Sequence, residues 1–325
     1  MTPPSARPET ACNRKERLLS AYGVLAVIFC LAIIAGLVIA VDPADVAAAF
    51  ENVTAAPLAT ALVIVQLQVV LSALRWRFTA ARLGHPISVP LAIGEYYIAS
   101  FVNQVLPGGM AGDAVRAYRS RTQEGWKRPA AAIVLERLSG QLAFFLVAGA
   151  GLFAWPLLLA ESLPPGFYRL VFICTGFLAL AAGLGLVIAR SRLFARFETL
   201  KPDLAAVFWR RGAAGIQFGL SMLTVLSYIA VFMIAADATG APLPPVAAVT
   251  VIPLCLMTML IPAGVGGWGT REAAAAALWP LFGLTSAEGL SASLLYGLIS
   301  LFGVAPQGLV LLAVTLRRRR AHGKR

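Results

Sequence analysis

The chain has 325 residues, of which 59% are hydrophobic and only 13% charged, and its mean hydropathy is +0.80. Soluble domains carry about 25% charged residues, so the composition excludes an ordinary cytosolic enzyme, a disordered chain and a disulfide-built secreted domain. The net charge of +12 does not indicate nucleic acid as a partner, because the basic residues fall in short clusters between apolar stretches, as they do in cytoplasmic loops of membrane proteins. An all-α polytopic membrane protein is expected.

Residues 1–17 form a polar, Pro-containing tail, expected to be disordered. Six stretches then reach the ~20 residues a bilayer crossing needs. They are Leu18–Val41, Val53–Leu74, Ala130–Leu159, Phe167–Ala189, Ala213–Ala236 and Gly289–Leu316. No small-residue cleavage site follows the first, which therefore reads as a span and not as a signal peptide. Two further segments, Val89–Arg121 and Val246–Leu281, are broken by runs of Pro and Gly, from Pro107 to Asp113 and from Pro262 to Thr270. Bare backbone at membrane depth must be buried in protein or line a wet cavity, so both read as re-entrant hairpins.

Arg14, Lys15 and Arg17, Arg75, Arg77 and Arg82, the arginines between Arg190 and Arg211, and Arg317 to Arg320 fall on one side of this pattern. Asp42, Asp45, Glu51, Glu161, Asp237 and Glu288 fall on the other. The positive-inside rule makes the basic side, and with it both termini, cytoplasmic. Residues 18–316 then form one transmembrane domain, with a basic cytoplasmic tail at 317–325. Its halves, about 18–159 and 167–316, repeat the order span, span, hairpin, span. Three crossings per half invert the second copy, as in secondary transporters built on inverted repeats; two unrelated hairpins are the alternative.

The candidate site lies at the two breaks. Gly108, Gly109 and Gly112 beside Pro107, and Gly264, Gly266, Gly267 and Gly269, let backbone N–H groups approach a ligand. A helix N-terminus beside each adds unpaired donors and a positive dipole end. Asp113 is the expected N-cap of the first, with Arg116 in its first turn. Thr270 is the expected cap of the second, with Arg271 as its first helical residue. Together they suit an anion such as a lipid phosphate; the alternative is that Pro and Gly only turn the hairpins. Replacing Arg271 by Ala is expected to abolish transport without loss of membrane abundance.

Glu136 and Arg137 sit within the third full span, where charge is costly. Neighbours on a helix do not face each other, so each needs another partner, with Glu95, Asp113 and Arg116 as candidates. A structural ion-pair network is the alternative, and Arg271–Glu272 poses the same question. Tyr96 and Tyr97 are either interfacial or cavity-lining. Asn103 and Gln104 either satisfy freed backbone groups or touch a head group, and Trp76 reads as an interfacial anchor. Cys12, Cys30, Cys174 and Cys255, with only two histidines, suggest small packing residues, so neither a metal nor a cofactor is expected.

Arg75-Trp76, Asn103 with Pro107-Gly-Gly-Met-Ala-Gly-Asp113 and Arg116, Glu136-Arg137, and Pro262-Ala-Gly-Val-Gly-Gly-Trp-Gly-Thr-Arg-Glu272 together resemble the lysylphosphatidylglycerol synthase transmembrane-region family, also called flippase-like domain proteins. The resemblance covers about Leu18 to Leu316. The family's usual turn is similar to Pro-Gly-x-x-Gly-Gly-Asp, and Ala111 departs from it. The resemblance implies an inner-membrane protein that moves lipid between leaflets, with an anionic phospholipid or isoprenoid-linked lipid as cargo. In bifunctional members the domain moves aminoacylated phosphatidylglycerol made by a fused synthase domain, which is expected to be absent here. Lipid translocation, without enzymatic activity, is the leading expectation. A small-solute transporter, an intramembrane enzyme acting on a lipid-linked substrate, and an assembly partner of a lipid-synthesis enzyme or glycosyltransferase are the alternatives.

Overall fold

The computed structural model describes residues 28, 31–40, 42–51, 53–106, 109–123, 125–158, 201–260 and 265–322. The expected span Phe167–Ala189, the tail 1–17, and Pro107, Gly108 and Gly264 lie outside the described residues. The elements in chain order are α1, Leu31–Ala40, then α2, Pro43–Glu51, α3, Ala55–Arg82, α4, Val89–Val105, α5, Ala111–Arg119, and α6, Lys127–Leu158. They continue as α7, Lys201–Phe208, α8, Ala213–Ala238, α9, Val251–Met257, α10, Thr270–Leu278, and α11, Ser286–His322. No strand forms among the described residues.

Four helices are long and apolar enough to cross a membrane: Ala55–Arg82, Lys127–Phe153, Arg210–Ala238 and Ser286–Thr315. The pair α1 and α2, bent by 95° at the break between them, makes a fifth if it is one broken span. The second expected span ends at Leu74, but α3 continues through Arg82. Arginine is a good helix former, and the added two turns carry Arg75 and Trp76 on the helix instead of in a loop.

Both Pro/Gly-broken segments fold back on themselves. In the first, Arg119 at the end of α5 donates to Glu95 near the start of α4, at 2.6 and 2.7 Å. The arms touch at backbone distance: a Cβ on Gly112 would lie 2.0 Å from the Ala99 carbonyl oxygen, so only glycine fits. In the second, α9 runs into a short 3-10 turn, Thr258–Leu260, and the chain returns as α10. Thr270 Oγ1 donates to the Thr258 carbonyl at 3.2 Å. Gly267 turns the chain at φ 83°, and a Cβ there would lie 2.5 Å from Met259 Cγ.

The main core gathers α3, α8, α11 and the second hairpin. Phe232 stacks on Tyr296 at 4.8 Å and leans on Trp279 at 5.6 Å. Val63, Leu67, Leu223, Leu226 and Phe302 stay exposed on the outer faces of the spans, as expected where hydrocarbon and not water is the solvent.

A polar seam runs through this apolar packing. On α3, Gln68, Ser72, Arg75 and Thr79 are all buried, and their spacing of four, three and four places them on one face. Gln217, Ser221, Thr224 and Tyr228 repeat that spacing on α8. The stripes meet antiparallel: Gln217 Nε2 donates to Thr79 Oγ1 at 2.8 Å, and Arg75 Nη1 to Ser221 Oγ at 3.4 Å. The same register carries Ser72 toward Thr224 and Gln68 toward Tyr228.

Candidate functional site

The centre of the site is Glu136, wholly buried on α6. Its Oε1 accepts from Arg75 Nε at 3.0 Å, Arg75 Nη2 at 2.5 Å and Tyr96 Oη at 3.2 Å. Its Oε2 accepts from Arg116 Nη2 at 3.2 Å. Three of these four hydrogen bonds fall on Oε1 and one on Oε2. Arg116 also donates to Asp113 Oδ1 at 2.9 Å. Its guanidinium lies between the rings of Trp76 and Tyr96, at 4.6 and 4.5 Å from their centroids, where the ring faces stabilise a cation. Arg137, the next residue on α6, points elsewhere: it pairs with Asp113 Oδ2 and donates to the Gly109 carbonyl at 3.1 Å.

This network draws on four helices, α3, α4, α5 and α6. Three guanidinium groups face two carboxylates, which leaves a surplus of one positive charge.

Several expectations change in detail. Asp113 does not cap α5: Met110 is the N-cap, and Asp113, third in the helix, is taken by the two arginines. Thr270 is not the cap of α10 either. Gly269 holds that place at φ 89°, and its N–H donates to Glu272 Oε2 at 2.7 Å. Glu95 is not a partner of Glu136 or Arg137, because Arg119 holds both of its oxygens. Trp76 is not an interfacial anchor, being wholly buried beneath Arg116. Asn103 satisfies a freed backbone group, its Oδ1 accepting from Gly112 N–H at 2.7 Å.

Arg271 and Glu272, although adjacent, pair with each other at 2.5 Å, and Ser293 on α11 donates to Glu272 Oε1 at 3.0 Å. The Arg271 guanidinium lies between Trp268 and Tyr296, at 5.2 and 4.8 Å from their centroids. Both charged residues are wholly buried.

One cavity of about 270 Å³ joins the two hairpins. The first hairpin contributes Asn103, Gln104, Gly109 and Asp113 to its wall, and the second Met259, Leu260, Gly266 and Gly267. The breaks approach closely here, since a Cβ on Gly266 would lie 2.8 Å from Gln104 Oε1. Arg75, Glu136 and Arg137 form the charged part of the wall, and Gln68, Ser72, Thr224 and Tyr228 from the seam line another part. Arg116 stands behind Tyr96, and Arg271 and Glu272 behind Tyr296; none of the three lines the cavity. Gly112 is spent on packing α5 against α4, and Gly269 on capping α10.

Arg75 and the seam were not read from the sequence as site residues. Arg75 sits among arginines that look like a cytoplasmic cluster. The recoverable signal is the four-three-four spacing of polar residues inside an apolar span, which sets Arg75 in line with Gln68, Ser72 and Thr79.

Comparison with curated proteins finds no match. The sequence model of one family matches residues 24–308, a range that holds both hairpins, the buried Glu136 and the cavity between them. The chain thus belongs to the family described as the lysylphosphatidylglycerol synthase TM region.

Proposed function

We propose that the protein is a lipid translocase that moves an anionic, phosphate-bearing lipid between leaflets. The head group passes through the cavity while the acyl chains remain in the bilayer. The observation that carries this reading is the shared cavity: the breaks of both hairpins border one polar space with an excess of guanidinium charge. Arg75 and Arg137 are the residues within reach of a phosphate there.

The hairpins are read as re-entrant, and the chain as six spans in an inverted repeat. The matched stripes on α3 and α8, the second spans of the two halves, support that arrangement. The distribution of Arg and Asp/Glu favours cytoplasmic termini, and the family resemblance favours the cell's inner membrane. Translocation is preferred to catalysis because the two carboxylates at the cavity, Asp113 and Glu136, are both held by arginines, which leaves neither free as a general acid or base.

The test is transbilayer movement of acyl-labelled lipids in proteoliposomes of the purified protein. The panel holds anionic, aminoacylated and isoprenoid-phosphate lipids, with Arg75→Gln as the control. Movement of one class, lost in the variant, is expected. Chemical conversion of a lipid, or uptake of a soluble solute with no lipid movement, refutes the proposal.

A further inference from the structure

We infer that Arg137 couples the arrival of a head group to the opening of the first hairpin: a phosphate in the cavity takes its guanidinium from Asp113, and α5 loosens from α6. This rests on reading the cavity as the head-group passage, and it concerns what lets that passage open.

The two neighbours of α5 hold it by different means. Toward α4 the hold is close packing and a bidentate pair. Gly112 lies against the Ala99 backbone, its N–H donates to Asn103 at 2.7 Å, and Arg119 takes both oxygens of Glu95 at 2.6 and 2.7 Å. The helix α4 is in turn seated on α11, where a Cβ on Gly308 would lie 2.5 Å from Phe101 Cβ. Toward α6 the hold is ionic, Arg116 with Glu136 and Asp113 with Arg137. Among the described residues of α5, Ala117 alone joins an apolar cluster, and only at its edge. A close-packed contact offers nothing for a guest to replace, whereas a carboxylate on a guanidinium can be replaced by a phosphate, which the same donors suit.

Within the ionic junction the Arg137 pair is the one open to such an exchange. The Arg137 side chain is 33% exposed, against 1% for Arg116, and it borders the cavity. Its partner atom, Asp113 Oδ2, is buried and accepts no hydrogen bond. The same guanidinium donates to the Gly109 carbonyl at 3.1 Å, so one side chain ties both the break of the hairpin and the start of α5 to α6. Breaking a buried pair is costly chiefly because it strands a charge, and this exchange strands none. Asp113 keeps its 2.9 Å bond from Arg116, and a phosphodiester brings the single negative charge that three guanidinium groups and two carboxylates lack. The junction of α5 with α6 is then held through Arg116 and Glu136 at 3.2 Å. Arg119, at the far end of α5, reaches Thr315 at 3.4 Å, next to the run Arg317 to Arg320. The opening therefore faces the side read as cytoplasmic.

Hydrogen–deuterium exchange of the purified full chain in detergent tests this, read by mass spectrometry over α5, the first turns of α6 and, as reference, α4. Phosphatidylglycerol is added, and its retention is followed by native mass spectrometry. Exchange in α5 is expected to rise about three- to tenfold, the worth of a half-exposed ion pair, with α4 unchanged. Arg137→Gln is expected to raise exchange as much without lipid and to abolish the response, and Arg137→Lys, which keeps the charge, to restore the response. A residue that serves only the fold would leave the response to lipid in place. Retained lipid that slows exchange in α5 or leaves it unaltered overturns the inference, as does a response that survives in Arg137→Gln. An equal rise in potassium chloride of matched ionic strength also overturns it, because screening alone then suffices. An equal rise with inorganic phosphate keeps the exchange of partners and rejects a lipid as its source. The lipid-dependent rise without transbilayer movement in proteoliposomes rejects the translocase and leaves the role of Arg137 standing.

Discussion

Replacing Glu136 by Met separates the structural from the functional part of its network. Glu136 accepts four hydrogen bonds, at 2.5 to 3.2 Å, from two arginines and a tyrosine. Removing it leaves Arg75 buried at 5% exposure with Ser221 as its one remaining hydrogen-bond partner among the described residues, while Arg116 keeps Asp113. Breaking a buried pair in this way costs about 3–5 kcal/mol. Replacing both partners by apolar residues of similar size is often neutral or better, so Arg75→Met with Glu136→Met is expected to come within about 1 kcal/mol of the parent. The coupling between the two sites is then at least about 2–4 kcal/mol, to which the cost of Arg75→Met alone adds, well above the ~0.5 kcal/mol of independent sites. Thermal unfolding in detergent, followed by the folded fraction on size exclusion, measures stability, and the proteoliposome assay measures movement of lipid. Stability restored with movement still absent is the expected pair of results. A double variant as unstable as Glu136→Met alone refutes the assignment of Arg75 as the principal partner. Restored movement shows that the network serves only to hold the fold.

Two further predictions concern the hairpins. Gly112→Ala places a Cβ 2.0 Å from the Ala99 carbonyl oxygen, a backbone contact that no rotamer change relieves, so destabilisation at or above the ~1–3 kcal/mol typical of overpacking is expected as lost folded yield; normal yield rejects the tight packing of α5 on α4. Arg271→Ala leaves Glu272 buried with only Ser293 and the Gly269 N–H as partners among the described residues, so a loss of about 3–5 kcal/mol is expected in thermal unfolding, and unchanged abundance and stability reject it.

The membrane class and four of the spans were legible because they depend on summed hydropathy, which neighbours do not alter. The breaks in the two Pro/Gly-containing segments were legible because Pro and Gly interrupt a helix whatever surrounds it. The Glu136 partners could be narrowed, since a buried carboxylate demands cations and Arg116 lay close in sequence. Arg75 could not be reached in that way, because its pairing depends on how far α3 continues past Leu74 and on which face of it meets α6. The caps were misread for a related reason. Asp113 and Thr270 have good capping chemistry, but Asp113 lies between two arginines, and ion pairing outweighs a cap worth about 1 kcal/mol.

The two hairpins carry similar residues in different positions. Each holds an arginine between two aromatic rings and bonded to a carboxylate: Arg116 with Glu136, and Arg271 with Glu272. In the first hairpin the carboxylate lies on the following span and the network opens onto the cavity through Arg75 and Arg137. In the second it lies on the same helix, also bonds the helix's own N-terminus, and is sealed behind Tyr296. A charge that reaches a cavity can meet a ligand, whereas a charge sealed from it can act only through the fold. Substitutions at Arg137 should therefore change lipid movement at little cost in stability, and those at Arg271 should lower stability first and movement only as a consequence.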